Sequence, residues 1–208
     1  MRVVQGAPVA AGSRPASAEL IRATFDDHAK VMSEAAVALP AILEEVCAEM
    51  HACFARGNKL LACGNGGSAA DVEHLVAELV GRFASERRGL PAIGLVAGSA
   101  TVTAIANDYG YERLFARQVE ALARPGDLLF AISTSGKSAN VLAAAQSARA
   151  LGCRVVAFTG ASQGPLAGLA DRVIAAPSGT TARIQEVHAL CIHLLCESLD
   201  LRLGAEAV

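Results

Sequence analysis

Residues 60–79 read LLACGNGGSAADVEHLVAEL. A short apolar run enters the turn Gly64-Asn65-Gly66-Gly67-Ser68-Ala69, and a helical pattern follows at once. A strand that ends in glycines and reopens as a helix is the first half of a βαβ unit, with backbone amides at the helix start free to face a ligand. The alternation recurs downstream. Aliphatic runs at 59–63, 92–96, 127–132, 154–159 and 172–175 are too short for helices. Helix-like segments separate or follow them at 68–83, 99–107, 114–122, 138–151 and 182–203. This pattern predicts a parallel sheet covered on both faces by helices. Upstream, apolar positions from Ser17 to Arg56 recur at helical spacing and predict two helices, the second opened by Pro40. The expected organisation is a loose N-terminus over 1–16, N-terminal helices over 17–56 that pack on the core or on a partner subunit, and one domain over 57–208.

The composition bounds the function. With 208 residues, 53% hydrophobic and 4% aromatic, the chain can bury one sizeable core of mostly small aliphatic side chains. A net charge of -2 supplies no electrostatic footprint for nucleic acid or an anionic membrane, so a charged ligand needs a local site. Six cysteines, at 47, 53, 63, 153, 191 and 196, form no C-x-x-C pair and lie largely in apolar stretches. They fit reduced, buried thiols and a cytoplasmic protein. The first residues lack the apolar core of a secretory signal, and no run of about 18 apolar residues occurs.

Two nucleotide patterns prove misleading. The glycine turn satisfies G-x-G-x-x-[G/A] after a strand, but 92–96 runs into Ala97-Gly98 without the carboxylate that holds a ribose. Gly136-Lys137-Ser138 resembles the end of a P-loop, but Ala131 stands where the first glycine belongs. What remains is Ser133-Thr134-Ser135-Gly136-Lys137-Ser138, four hydroxyls in six residues at a strand end and helix start. Hydroxyls, backbone N–H groups and the positive helix end suit one phosphate group. A helix cap alone needs only one of those hydroxyls.

His74 and Glu78 are four residues apart and share a helix face, where they can share an ion or a proton path. A surface interaction is the plainer explanation of such a pair. The last predicted helix carries Gln185, His188 and His193 in an otherwise apolar run.

Together the stretches CGNGGSAADVEHLVAEL, TAIANDYGYERLF, AISTSGKSANV and ARIQEVHALCIHLL resemble the phosphoheptose (sedoheptulose 7-phosphate) isomerases of the sugar-isomerase (SIS) domain superfamily, over roughly residues 20 to 203. The resemblance implies a three-layer α/β/α sandwich with a five-stranded parallel sheet, SIS-type and flavodoxin-like, plus N-terminal helices. It implies a homotetramer and one Zn2+ per subunit held by His74, Glu78, Gln185 and His193. Substrate contacts are implied for Asn65, Gly66, Gly67, Glu78, Asn107, Asp108, Ser133, Thr134, Ser135, Ser138 and Gln185. His188 matches a motif histidine that is not a ligand. The sequence departs from some relatives at Thr181-Ala182, where certain members carry an aspartate.

The implied reaction is an aldose–ketose isomerisation of a sugar phosphate through an enediol, with Glu78 and His193 as proton carriers and the cation stabilising oxyanion charge. The competing expectation is a non-catalytic SIS domain that binds a phosphosugar or associates with a replication initiator. On one regular helix, Gln185 and His193 stand about 12 Å apart along the axis at roughly 1.5 Å per residue. That spacing predicts an active site shared between subunits, with a ligand donated by a neighbour.

Overall fold

The computed structural model describes residues 17–206, so the expected loose segment 1–16 lies outside the described residues. Helices α1 (Ser17–Ala38) and α2 (Pro40–Ala55) precede strand β1 (Leu60–Gly64). There follow α3 (Gly67–Val80), β2 (Ala92–Gly94), α4 (Ser99–Tyr109), α5 (Leu114–Leu122), β3 (Leu128–Ile132), α6 (Ala139–Ala150), β4 (Arg154–Thr159), β5 (Arg172–Ala175) and α7 (Thr181–Glu206). The five strands form one parallel sheet in the order β2-β1-β3-β4-β5, the expected α/β/α sandwich.

Alternation along the strands sends side chains to two separate cores. Leu60, Ala62, Leu128, Phe130 and Ile132 pack with Met50, Leu75 and Ile192 from α2, α3 and α7. Leu61, Cys63, Leu129 and Ala131 pack on the other face with Phe115, Val119 and Val141 from α5 and α6. Every residue of β1 and β3 is therefore buried, as a doubly covered parallel sheet requires. Val31 and Ala35 of α1 join the first core.

The strand order fixes where a ligand can sit. From β1 the chain moves outward to β2 and then returns to place β3 on the other side of β1. The connections leaving β1 and β3 therefore part in opposite directions, and a crevice opens at their carboxyl ends. Both the glycine turn and the hydroxyl-rich loop begin there.

Four boundaries differ from the sequence reading for identifiable reasons. β1 and β3 each begin one residue later than expected, because the buried Asp127 carboxylate takes the Lys59 N–H (3.0 Å) and the Lys59 ammonium (2.5 Å). Asn58 Nδ2 and the Arg124 N–H also donate to it, so these bonds lower the carboxyl's pKa despite its burial. β2 stops at Gly94, where the Ala97 N–H turns back to the Gly94 carbonyl (3.4 Å). α3 stops at Val80 and does not reach Phe83, because the Arg87 guanidinium donates to the Glu78 (2.8 Å) and Leu79 (3.0 Å) carbonyls that further turns would use. Arg87 Nε in turn donates to Asp200 Oδ1 (2.7 Å), with the side chains 8% and 3% exposed. Leaving either charge without the other would cost on the order of 3–5 kcal/mol.

Candidate active site

The glycine turn is shaped by what crowds it. A Cβ on Gly67 would lie 2.4 Å from Gln185 Nε2, so the Gln185 carboxamide lies against the first residue of α3 in the space that a side chain there would take. The carbonyls of Asn65 and Gly66 accept the Ser68 (3.1 Å) and Ala69 (3.0 Å) N–H groups that open the helix. Gly66 and Gly67 are themselves exposed. Their amides belong to the positive end of α3, where anionic ligand oxygens are favoured.

Asn65 is held by side chains from elsewhere. Its Nδ2 donates to Asn140 Oδ1 (2.8 Å), and Asn140 Nδ2 donates back to Asn65 Oδ1 (2.9 Å). The Tyr111 hydroxyl donates to the same Asn65 oxygen (2.9 Å). Asn140 is buried at 3% exposure, and its Oδ1 also accepts the Val141 N–H (3.0 Å).

The hydroxyl-rich loop does more than cap α6. Ser138 occupies the N-cap position but its side chain makes no capping bond, and its Oγ lies 3.0 Å from Ser133 Oγ. Ser135 Oγ accepts the Lys137 N–H (3.2 Å), and the Thr134 carbonyl accepts the Gly160 N–H (2.9 Å). Gly136 sits at φ +63°, and a Cβ there would lie 1.9 Å from the Gln163 carbonyl oxygen. The loop is thus braced from behind by residues 160–164, with the Ser133 and Ser138 hydroxyls paired at the crevice.

The candidate chemical centre lies between α3 and α7. His74 Nε2 is 3.3 Å from His193 Nε2 and 3.3 Å from Glu78 Oε1. The two imidazoles meet edge to face, with centroids 4.9 Å apart at 79°, and the Phe83 ring lies 5.6 Å from His193. Two imidazole nitrogens this close share either a proton or a cation, since two N–H groups or two lone pairs facing each other repel. Ligand nitrogens about 2.0–2.1 Å from a tetrahedral zinc lie roughly 3.3–3.4 Å apart, so both pairs have the spacing of a coordination edge. The donors are arranged pairwise about His74: among the described residues no three His, Cys, Asp or Glu side chains form a ready-made metal site. Gln185 is two turns away, at Gly67.

Asp71 escaped the sequence reading. It lies one turn before His74 on α3, its Oδ2 is buried without a hydrogen-bond partner, and burial pushes its carboxyl up to about 6 against the pull of His74. Asn107 and Asp108 hydrogen-bond to each other (2.8 Å) on α4, a helix with no buried residue. Within one chain they do not close on the histidine pair, and their link to the crevice is the neighbouring Tyr111–Asn65 bond. At the head of α7, Arg183 pairs with Glu186 and donates to the Thr24 carbonyl (3.0 Å), while His28 Nδ1 lies 2.7 Å from Glu186 Oε2. These contacts tie α1 to α7 beside Gln185.

The SIS domain family matches residues 25–160. A phosphoheptose isomerase from Roseiflexus sp. (strain RS-1) is 52% identical over 186 residues, 89% of this chain and 92% of that protein. One from Geotalea daltonii is 48% identical over 188 residues, 90% of this chain and 98% of the relative. The chain belongs to the phosphoheptose isomerase family. Solved phosphoheptose isomerases agree: those from Neisseria gonorrhoeae and Francisella tularensis are each 39% identical, cover 89% of this chain and 99% of their own, and superpose with TM-scores of 0.85 and 0.87. The protein is thus an isomerase of sugar phosphates, and the expectation of a non-catalytic relative gives way.

Within this family member His188 is a core residue. It is fully buried, donates from Nε2 to the Thr159 carbonyl (3.0 Å) and packs edge-on against Phe158. Its Nδ1 has no partner, so a second proton there would be buried without an acceptor. Burial pushes its pKa down to about 4 from 6.5. The unfolded chain therefore binds a proton at a higher pH than the folded one does. The stability that depends on neutral His188 is intact above about pH 6.5 and is lost as pH falls toward 4, by roughly 3 kcal/mol at about 1.4 kcal/mol per pH unit. Urea denaturation at pH 7 and pH 4.5 should show this loss, and His188→Gln should remove most of its pH dependence.

Proposed function

We propose that this isomerase converts sedoheptulose 7-phosphate to D-glycero-D-manno-heptose 7-phosphate by proton transfer between C1 and C2 through an enediol. The reading rests on one observation above all: His193 and Glu78 each come within 3.3 Å of His74, although the two histidines are 119 residues apart in sequence. Its similarity to phosphoheptose isomerases supports the heptose phosphate.

The chain's own groups divide the work. Backbone N–H groups at Gly66 and Gly67, with Asn65, bind sugar oxygens. The hydroxyls of Ser133, Thr134, Ser135 and Ser138 bind the phosphate, which anchors the substrate equally in ground and transition states. Glu78 removes the proton from C1 of the ketose and His193 protonates the C2 oxygen; the same pair then returns a proton to C2 as the C1 hydroxyl gives up its own. No atom is gained or lost. The donor types suit zinc: His74, Glu78 and His193 would hold it, and Gln185 would act at the sugar end or be donated across a subunit boundary. When bound, the ion supplies Lewis-acid stabilisation of negative charge on the sugar oxygens.

We further propose the homotetramer. The first half of α1 exposes Leu20, Ile21 and Phe25 at 57%, 53% and 68%. Leu190 and Leu194 of α7 line an apolar groove of about 360 Å3 with Met32, Leu39 and Leu43. These apolar faces suit another copy of the chain, and the six cysteines, all free and buried, suit the reducing cytoplasm.

Incubating the pure, metal-loaded protein with sedoheptulose 7-phosphate should yield the aldose by NMR, and a chelator should suppress it. Glu78→Gln should lower kcat by about 10²–10⁴ with KM little changed. No conversion by the loaded enzyme, or a Glu78→Gln variant of near-normal kcat, would refute the assignment. Sedimentation should give a tetramer, whereas a monomer of full activity would contradict shared sites.

A further inference from the structure

Hydrogen-bond capacity fixes the chemical role of Asn65. The Val141 backbone N–H can only donate, so the Asn140 side-chain atom facing it is the oxygen. That oxygen also faces Asn65, so the Asn65 atom opposite it is the nitrogen. Asn65 Oδ1 then points at Asn140 Nδ2 and the Tyr111 hydroxyl, both at 2.9 Å. A carboxamide oxygen has two lone pairs, and here both are used; of the two N–H groups on Nδ2, one is used. Asn65 is left with a single unspent group, one N–H donor.

We propose that Tyr111 is a positioning residue for the sugar end of the substrate. By filling the last acceptor position of Asn65, it makes Asn65 a donor only, matched to a sugar carbonyl or hydroxyl oxygen that accepts. This rests on Asn65 touching the substrate in the reaction proposed above. Tyr111 has a second effect through the chain. It opens the short 3-10 turn Tyr111–Arg113 directly after α4, which buries no residue of its own. The Tyr111–Asn65 bond is therefore a direct tie from this segment, with Asn107 and Asp108 just before it, to the crevice. Tyr111 is itself 56% exposed, so its ring contributes little to the core. Without the phenol, Asn65 Oδ1 regains a free lone pair, and its carboxamide can swing away from the donor orientation.

Tyr111→Phe tests this, because it removes one oxygen from an exposed ring. Calorimetry with sedoheptulose 7-phosphate and with inorganic phosphate, alongside steady-state kinetics, separates the sugar end from the phosphate loop. The variant should bind the sugar phosphate about three- to tenfold more weakly, the loss typical of one hydrogen bond, and raise KM by the same factor. Its kcat should stay within about twofold, as loss of uniform binding requires, and its affinity for inorganic phosphate should be unchanged. Unchanged affinity for the sugar phosphate overturns the inference. Equal weakening of sugar phosphate and inorganic phosphate also overturns it, since that reports a general loosening of the crevice. Absence of turnover by the wild type would count against the assigned reaction and not against Tyr111, because the calorimetric comparison needs no turnover.

Discussion

The packing of α3 against α7 brings the candidate chemical groups together, and it starts where Gln185 lies over Gly67. There the carboxamide of Gln185 occupies the space that a side chain on residue 67 would need. From there the helices run side by side, and seven residues along one and eight along the other, about 11–12 Å at 1.5 Å per residue, His74 meets His193. Glu78 lies one further turn along α3 on the same face. Arg87 closes the far end by donating to the Glu78 carbonyl of α3 and to the Asp200 carboxylate of α7. The helix pair is thus pinned at both ends, and the histidines meet between the pins.

The sheet supplies the second half of the site. Its strand order parts the connections at β1 and β3, and the two loops released there differ in character. One is glycine-rich and presents backbone amides beside an asparagine whose orientation is locked. The other is hydroxyl-rich and braced by the 160–164 segment. Under the proposed function, sugar recognition and phosphate recognition fall to separate loops on one edge of the sheet, and proton transfer falls to the helix pair. In the proposed reaction, that division lets the phosphate anchor bind strongly without interfering with the groups that must change protonation.

Much of this was legible in the sequence because it is local or periodic. The five strands, the helix after the glycine turn and the shared face of His74 and Glu78 all follow from spacing within a few residues. The distance between Gln185 and His193 along one helix was legible too, and the structure keeps them apart, with Gln185 at Gly67. What sequence could not disclose is pairing across long separations. Nothing near Asn65 announces that Asn140 and Tyr111 hold it, and nothing near Phe83 shows that Arg87 ends α3 first. Asp71 reads as an ordinary helix-surface acid until burial removes its partners. The starts of β1 and β3 moved for a similar reason, because one buried carboxylate outcompetes the ladder for the Lys59 N–H.

The most direct test of the account is an anomalous difference map from crystals of the zinc-loaded protein, collected at the zinc edge. A single peak per chain, within about 2.1 Å of both His74 Nε2 and His193 Nε2, is the predicted result. A peak bound to only one of these histidines, or no peak between α3 and α7, would contradict the shared site.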